Sequence, residues 1–477
     1  MGIPFDIEFI ADSFNLDGRY VGYKVKNDGH INSTYVIGFE DGEGCSKKYT
    51  LQKINTYVFK DADKLMSNIV GVTSHIKNKL GDYERRTLNF LPAKDGKYYV
   101  VDPNGDCWRC YDYIDNAYTC NIIDSAEVFY NAGKSFGNFQ KLLSDYPIDK
   151  LFETIPNFHN TYSRFNDFLK AVERDASGRA SSVKDEIQFV LDREADTKVL
   201  LAELEKNELP LRVTHNDTKL NNILFDSETN EGICIIDLDT VMPGLSLYDF
   251  GDSIRFGANT ASEDEKDLSK VSLSLELYEA YTRGYLSTAK KSLTEKEMFY
   301  LPFSAKLMTL ECGMRFLTDY LDGDVYFKTD YPEHNLVRCR DQFKLVADIE
   351  KKYKYNNLYC PKICKENLEP ERYGKLYRIL KPILGIYGTS SIQGKFSVQL
   401  ELRKRFLSNG YKIGQIGTEA SSLLFGFDYD YPMGFNNSVY IHSHDCVRYL
   451  NNCINELTKK NCDIIITGSQ GSILPFD

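Results

Sequence analysis

THNDTKLNNILFD, residues 214–226, crowds a histidine, two aspartates, a lysine and three asparagines between two apolar stretches in the middle of a 477-residue chain. It carries a carboxylate at Asp217, a cation at Lys219 and an amide oxygen at Asn222, and Asp237 follows at the end of the run ICIID. Phosphoryl transfer needs a carboxylate to orient the attacking hydroxyl, oxygen ligands for Mg2+ and positive charge near the moving phosphoryl group. This stretch supplies all of them. A loop so rich in Asx side chains is otherwise a turn that caps its own backbone, but the strand context and the second aspartate favour the chemical reading.

Composition sets the frame. A chain of this length exceeds the ~250–300 residues at which single cores split, so more than one domain is expected. With 42% hydrophobic and 27% charged residues it reads as globular. No apolar run approaches the ~18 residues of a membrane span. The N-terminus lacks a signal peptide, and Asp6 breaks the myristoylation pattern, so a cytoplasmic protein is expected. Twelve scattered cysteines are not a disulfide framework. Cys107 and Cys110, and Cys360 and Cys364, lack the further pairs of a zinc site. A net charge of −11 argues against a nucleic-acid partner and leaves small phosphorylated molecules open. Nothing in the sequence marks an oligomeric state.

Working outward, residues 19–115 are rich in strand patterns: RYVGYKVKN, STYVIGFE, KKYTLQKIN, KYYVVD and WRCYDYID, with a helix at 61–80. From about 125 the period becomes 3.6, as in AEVFYNAGKSFGNFQKLLSD. The short runs LRVT, NILFD and ICIIDLD surround the opening motif. A β-rich N-lobe (1–115) and a mainly helical C-lobe (116–355) are predicted, with a hinge at 111–115 and a linker at 356–379. After it, strand, Gly-rich turn, helix, strand, helix and strand alternate over 380–477, the mark of a parallel α/β sheet. The pattern stops after a third strand, which predicts a partial domain and a piece of a longer protein. The fold class expected is α+β: a two-lobed protein-kinase-like fold followed by a partial α/β P-loop domain.

H-x-D-x-K-x-x-N at His215, Asp217, Lys219 and Asn222 has the register of the protein-kinase catalytic loop, with Asp237 in the place of the second metal aspartate. G-x-G-x-x-G and A-P-E are missing. YDFGD at 248–252 comes a dozen residues too late for a metal aspartate, and Asp249 there is expected to brace the catalytic loop. AGKS, ending at Ser135, sits inside a helical pattern and is assigned no role. The pattern resembles the aminoglycoside-phosphotransferase and choline-kinase type of small-molecule kinase. GHINSTY, LQKINTYVFKD, ETIPNFHNT, IDLDTVMPGLSLYDFGDSIRFGAN and ECGMRFLTDYLDGDVYFK together resemble the N-acetylhexosamine 1-kinase family over residues 10–352, nearly three quarters of the chain.

That resemblance implies ATP and Mg2+ as cofactors and phosphorylation of the anomeric hydroxyl of a small sugar, N-acetylglucosamine or N-acetylgalactosamine. It makes Asp217 the catalytic base, helped by Lys219, and Asn222 and Asp237 metal ligands. Asp239 is a further metal candidate, expected to share a strand face with Asp237. The loop from Gly29 to Tyr35 would cover the phosphates, with Thr34 as a hydroxyl donor and Lys53 as the cation. Sugar contacts would fall on His30, Phe256, Arg315 and Tyr326. Phe256 and Tyr326 are also what an aromatic-rich core contains, Arg315 what a buried ion pair contains, and His30 what a turn contains.

At the C-terminus, ILGIYGTSSIQGKFSVQLELR places Gly388, Gly394, Lys395 and Ser397 as a lengthened phosphate loop, with one more residue between its glycines than the usual motif. The spacing is that of dethiobiotin-synthetase-like P-loops, and the segment resembles the P-loop domain of the DUF1611 family. Two other functional readings stand beside the sugar kinase. One is a kinase of the same fold acting on an amino alcohol or aminoglycoside, which calls for an acidic pocket. The other is a regulatory or scaffold protein acting through its C-terminal nucleotide site.

Overall fold

Alternating apolar and polar residues make the first sheet, and their parity decides what faces the site. The computed structural model describes residues 6–26, 32–81, 84–120, 123, 125–356, 379–386, 395–417, 422, 426–430 and 443–468. After α1 (Ile7–Ala11), strands β1 (Arg19–Lys26), β2 (Ser33–Glu40) and β3 (Ser46–Ile54) form an antiparallel meander. Helix α2 (Ala62–Leu80) follows. β4 (Val100–Val101) and β5 (Cys107–Asp112) complete a sheet of order β1-β2-β3-β5-β4. One face of this sheet, with Tyr35, Ile37, Leu51, Trp108 and Cys110, packs on Ile7 and Ile10 of α1. The other face, with Ile54 and Cys107, joins a core shared with α2 and with Val213, Leu238 and Val241 of the later chain. Cys107 and Cys110 therefore point to opposite faces and cannot share a metal.

The helical part begins after β6 (Ala117–Tyr118) with α3 (Ala126–Leu142), α4 (Thr161–Arg174), α5 (Lys184–Leu191) and α6 (Val199–Glu205). Short strands β7 (Arg212–Thr214), β8 (Ile223–Asp226), β9 (Gly232–Ile235) and β10 (Met242–Gly244) come next. Helices α7 (Ser246–Gly257), α8 (Leu275–Ala289), α9 (Glu295–Asp322) and α10 (His334–Asn356) complete this part. α3 and α8 pack so closely that a Cβ on Gly133 would lie 2.3 Å from the Tyr281 carbonyl oxygen, and one on Gly284 2.0 Å from that of Tyr130. The glycine of AGKS thus serves helix packing.

Helix α9 starts with a capping box, in which Thr294 accepts from the Glu297 N–H and Glu297 accepts from the Thr294 N–H. Glu297 also takes both arms of Arg212, at 2.5 and 2.7 Å. A residue chosen by local helix chemistry therefore anchors the strand that leads into the opening motif.

The chain divides into two compact units, residues 1–349 and 350–477. The second unit contains β11 (Ile383–Ile386), α11 (Lys395–Ser408), β12 (Ile413–Gly417), β13 (Tyr429–Asp430), α12 (Ser443–Lys459) and β14 (Ile464–Gly468). Its strands pair in parallel in the order β11-β14-β12-β13. Ile416, Ile454, Leu457 and Ile465 form its core. Among the described residues no helix is long and apolar enough to cross a membrane.

Candidate active site

The opening motif is a loop hung between two strand pairs. β7 pairs with β10 and β8 with β9, both antiparallel, which brings residues 215–222 beside residues 236–240. The Ile236 N–H donates to the Asn222 carbonyl at 2.9 Å. His215 lies beneath the loop. Its Nε2 donates to the Ile236 carbonyl at 2.9 Å, and its Nδ1 accepts the Asp217 N–H at 3.3 Å. The histidine of the motif therefore shapes the loop.

Asn216 adopts a left-handed backbone, φ 64°, a conformation asparagine tolerates better than most residues. It is secured on three sides. Asp249 accepts the N–H groups of His215 and Asn216 at 2.9 and 2.8 Å, the Asn216 amide donates to the Thr240 carbonyl at 2.8 Å, and the Asn216 carbonyl accepts from His159 at 3.1 Å. Asp249 is buried and braces the loop as read from the sequence. Asp252, three residues on, takes the Thr218 N–H at 3.1 Å. His159 and Asp252 carry no chemical motif of their own, and their loop contacts are missed by a reading of spacing alone.

Asp217 follows the left-handed residue with its carboxylate against two side chains. Lys219 Nζ lies 3.0 Å from one oxygen, and Asn222 Nδ2 donates to the other at 3.1 Å. Burial pulls the Asp217 carboxyl up and the Lys219 ammonium pulls it down; the net shift is down, so Asp217 is ionised at neutral pH. The same pairing pushes Lys219 well above its usual range. Asn222 spends its amide nitrogen on Asp217, at the side chain and at the backbone carbonyl, 2.8 Å away.

Asp237 also has a left-handed backbone, φ 57°, a conformation that stores strain and recurs at functional sites. Burial, then the neighbouring carboxylates of Asp239 and Asp217, push its carboxyl up to about 7. This departs from the expectation that Asp237 and Asp239 share a strand face. β9 ends at Ile235, and Asp239 lies in a 3-10 turn, Leu238–Thr240. The left-handed residue ends the alternation, so parity no longer relates the two. Asp239 is buried and ion-paired to Arg109, and its second oxygen accepts from Asn32 Nδ2 at 2.6 Å.

Lys53 departs from expectation as well. In β3 it pairs with Trp108, on the face with Leu51 and Tyr35 that packs on α1, and its ammonium meets Asp106 at 2.5 Å. The face toward Asp239 carries Thr34, Gln52 and Arg109 in register. The Thr34 hydroxyl accepts from Gln52 Nε2 at 3.0 Å. Gly29 and His30 lie outside the described residues, as do Gly388 and Gly394 of the second unit. There Lys395 begins α11 and is buried, while Ser397 is exposed.

Of the residues implied for sugar contact, Phe256 is half-buried on α7. Arg315, on α9, is flanked by Phe158 and Phe327, each ring centroid 5.6 Å away. Tyr326 is no core aromatic: it is 67% exposed. Its loop is built on Asp319, which accepts the N–H groups of Val325, Tyr326 and Phe327 at 2.9, 2.7 and 3.0 Å. Arg164 is a neighbour that the sequence reading missed. It donates to the Phe158 carbonyl at 3.3 and 3.1 Å, and burial followed by the charge of Arg315 pulls it below its usual range. Neither guanidinium has a carboxylate partner among the described residues.

Residues 122–293 match the model of the phosphotransferase enzyme family. The structure is similar to that of a microcompartment-associated aminopropanol kinase, with 17% identity, a TM-score of 0.49 and coverage of 74% of this chain and 98% of that one. It is similar to an aminoglycoside phosphotransferase from Alicyclobacillus acidocaldarius, with 10% identity, a TM-score of 0.47 and coverage of 74% and 98%. It is also similar to an ethanolamine kinase from Plasmodium vivax, with 16% identity, a TM-score of 0.42 and coverage of 67% and 82%.

Proposed function

We propose that this phosphotransferase moves the γ-phosphoryl group of ATP to the anomeric hydroxyl of an N-acetylhexosamine. The observation that carries the reading is the Asp217 carboxylate, held ionised by Lys219 and aimed by Asn222. Asp217 accepts a hydrogen bond from the attacking hydroxyl and takes its proton as the bond to phosphorus forms. Lys219 keeps that carboxylate charged until the proton arrives and adds positive charge beside the transferring group.

Asp237 accepts no hydrogen bond among the described residues, and the Asn222 amide oxygen accepts none. A carboxyl pushed up by burial and then by neighbouring carboxylates, together with an unspent amide oxygen, fits a hard divalent cation such as Mg2+. That ion would neutralise phosphate charge. No cluster of three or more His, Cys, Asp or Glu side chains suited to a metal occurs among the described residues, in keeping with an ion held largely by phosphate and water.

The acceptor class follows from charge. Arg164 and Arg315 stand beside Phe158, next in sequence to the His159 that touches the catalytic loop. Two guanidiniums that form no close ion pair among the described residues repel a cationic amino alcohol or aminoglycoside and suit a neutral acceptor rich in oxygen. Arg315 donates to ring hydroxyls or the acetamido carbonyl, and the exposed Tyr326 ring offers an apolar face. We read residues 1–115 and 116–355 as the two lobes and 380–477 as a P-loop α/β domain.

The test is a panel of N-acetylglucosamine, N-acetylgalactosamine, galactose, ethanolamine and an aminoglycoside, each with ATP and Mg2+ and with product identification. Sugar 1-phosphate from a hexosamine is expected. Turnover confined to the amines would replace this reading with the amino-alcohol one.

A further inference from the structure

With Lys53 turned toward α1, a different cation stands on the nucleotide side. Arg109, in β5, is 2% exposed. Its Nη1 is bonded to Asp239, and its Nε and Nη2 both donate to Gln52 Oε1, at 3.1 and 2.9 Å. Gln52 passes the contact on to Thr34 at 3.0 Å. Asp239 gives its other oxygen to Asn32 at 2.6 Å, and Asn32 Oδ1 accepts the Asn55 N–H at 3.0 Å. Five side chains from four separate segments thus form one bridge: β5, β3, residues 32–34, and the turn that follows Asp237.

We propose that Arg109 is the positioning residue of the nucleotide side, and that Asp239 is its counter-ion and the anchor of Asn32 rather than a metal ligand. Both oxygens of Asp239 are spent on protein donors, whereas no donor among the described residues reaches Asp237. A guanidinium suits the task because its planar fork reaches a carboxylate and an amide at once, which a lysine ammonium cannot do in one geometry. With the bridge intact, Asn32 is held between Asp239 and the Asn55 N–H, at the start of β2. This inference rests on the reading of the site as one that binds ATP.

The full chain and its Arg109→Gln, Arg109→Lys and Asp239→Asn variants are titrated calorimetrically with AMP-PNP and Mg2+, and separately with N-acetylglucosamine. Bound Mn2+ per chain at saturating AMP-PNP is counted by electron paramagnetic resonance. All three variants are expected to weaken AMP-PNP at least ~10-fold, with sugar affinity within about twofold of wild type, and Lys is not expected to rescue Arg. Asp239→Asn is expected to keep the wild-type Mn2+ count. Wild-type AMP-PNP affinity in Arg109→Gln overturns the role of Arg109, and a lost Mn2+ in Asp239→Asn makes Asp239 a ligand after all. If Arg109→Gln does not fold, Gln52→Leu, which keeps the ion pair and removes the brace, carries the test. A threefold or greater loss of AMP-PNP affinity supports the bridge, and wild-type affinity overturns it. A wild-type chain that binds no AMP-PNP sinks the ATP reading itself, and this inference with it.

Discussion

The ring of His159 holds the backbone carbonyl of Asn216 at 3.1 Å, one residue before Asp217, while its other nitrogen faces Glu311 at 2.7 Å. Glu311, fully buried on α9, also takes the Thr161 hydroxyl at 2.5 Å. Burial pulls its carboxyl up, and His159 and Arg315 pull it down, for a net shift down. One helix therefore carries both the carboxylate that steadies the catalytic loop and, one turn later, Arg315.

Replacing His159 with Leu strands a buried carboxylate. A loss of about 3–5 kcal/mol is expected in urea unfolding. The double variant His159→Leu, Glu311→Leu should recover part of that stability but not turnover, because the Asn216 carbonyl stays untethered in both. Full turnover in the double variant would show that the tether is dispensable.

Asp217→Asn keeps the shape of the side chain and loses the charge. Turnover should fall at least ~100-fold, while the melting temperature stays near that of wild type, since Lys219 is partly exposed and can be solvated. Unchanged turnover would reassign the base.

Asp341, buried on α10, accepts from Asn259 and Gln342 at 3.1 and 3.0 Å, and its other oxygen has no partner among the described residues. Burial pushes its carboxyl up to about 7, against the hydrogen bond from Gln342. A carboxyl raised on folding adds stability below the unfolded value of ~3.9 and loses it as pH rises through about 7. Asp341→Asn should therefore melt higher than wild type near pH 8, with the gap shrinking toward pH 5. Parallel melting curves for the two proteins across that range would refute the assignment.

Gly133→Ala drives a methyl group into the backbone of α8, where Tyr281 leaves no room. Destabilisation of about 1–3 kcal/mol is expected by chemical unfolding. An alanine tolerated without cost would mean that α3 and α8 can separate.

Much of the loop at 214–226 was legible because its contacts are local. The spacing from His215 to Asn222 and the bracing role of Asp249 follow from one strand-loop-strand and the helix after it. The relation of Asp237 to Asp239 was misread because period-two alternation assumes a continuing strand, and a left-handed residue ends it. Lys53, expected on the phosphate side, lies on the sheet face of Leu51 and Tyr35 for a related reason. A strand pattern shows which residues alternate, but not which face of the sheet turns toward the other lobe.

The sequence by itself determined the α+β pattern, the loop with Asp217, Lys219 and Asn222, the second aspartate and the parallel α/β pattern of the second unit. Each depends on neighbours within a few turns or one hairpin. Only the tertiary structure decided that Arg109 meets Asp239 across 130 positions, that His159 meets Glu311 across 152, and that Arg164 stands beside Arg315. Such pairs carry no periodic signal. They are selected by burial, which makes an unpaired charge costly and so couples residues that only folding brings together.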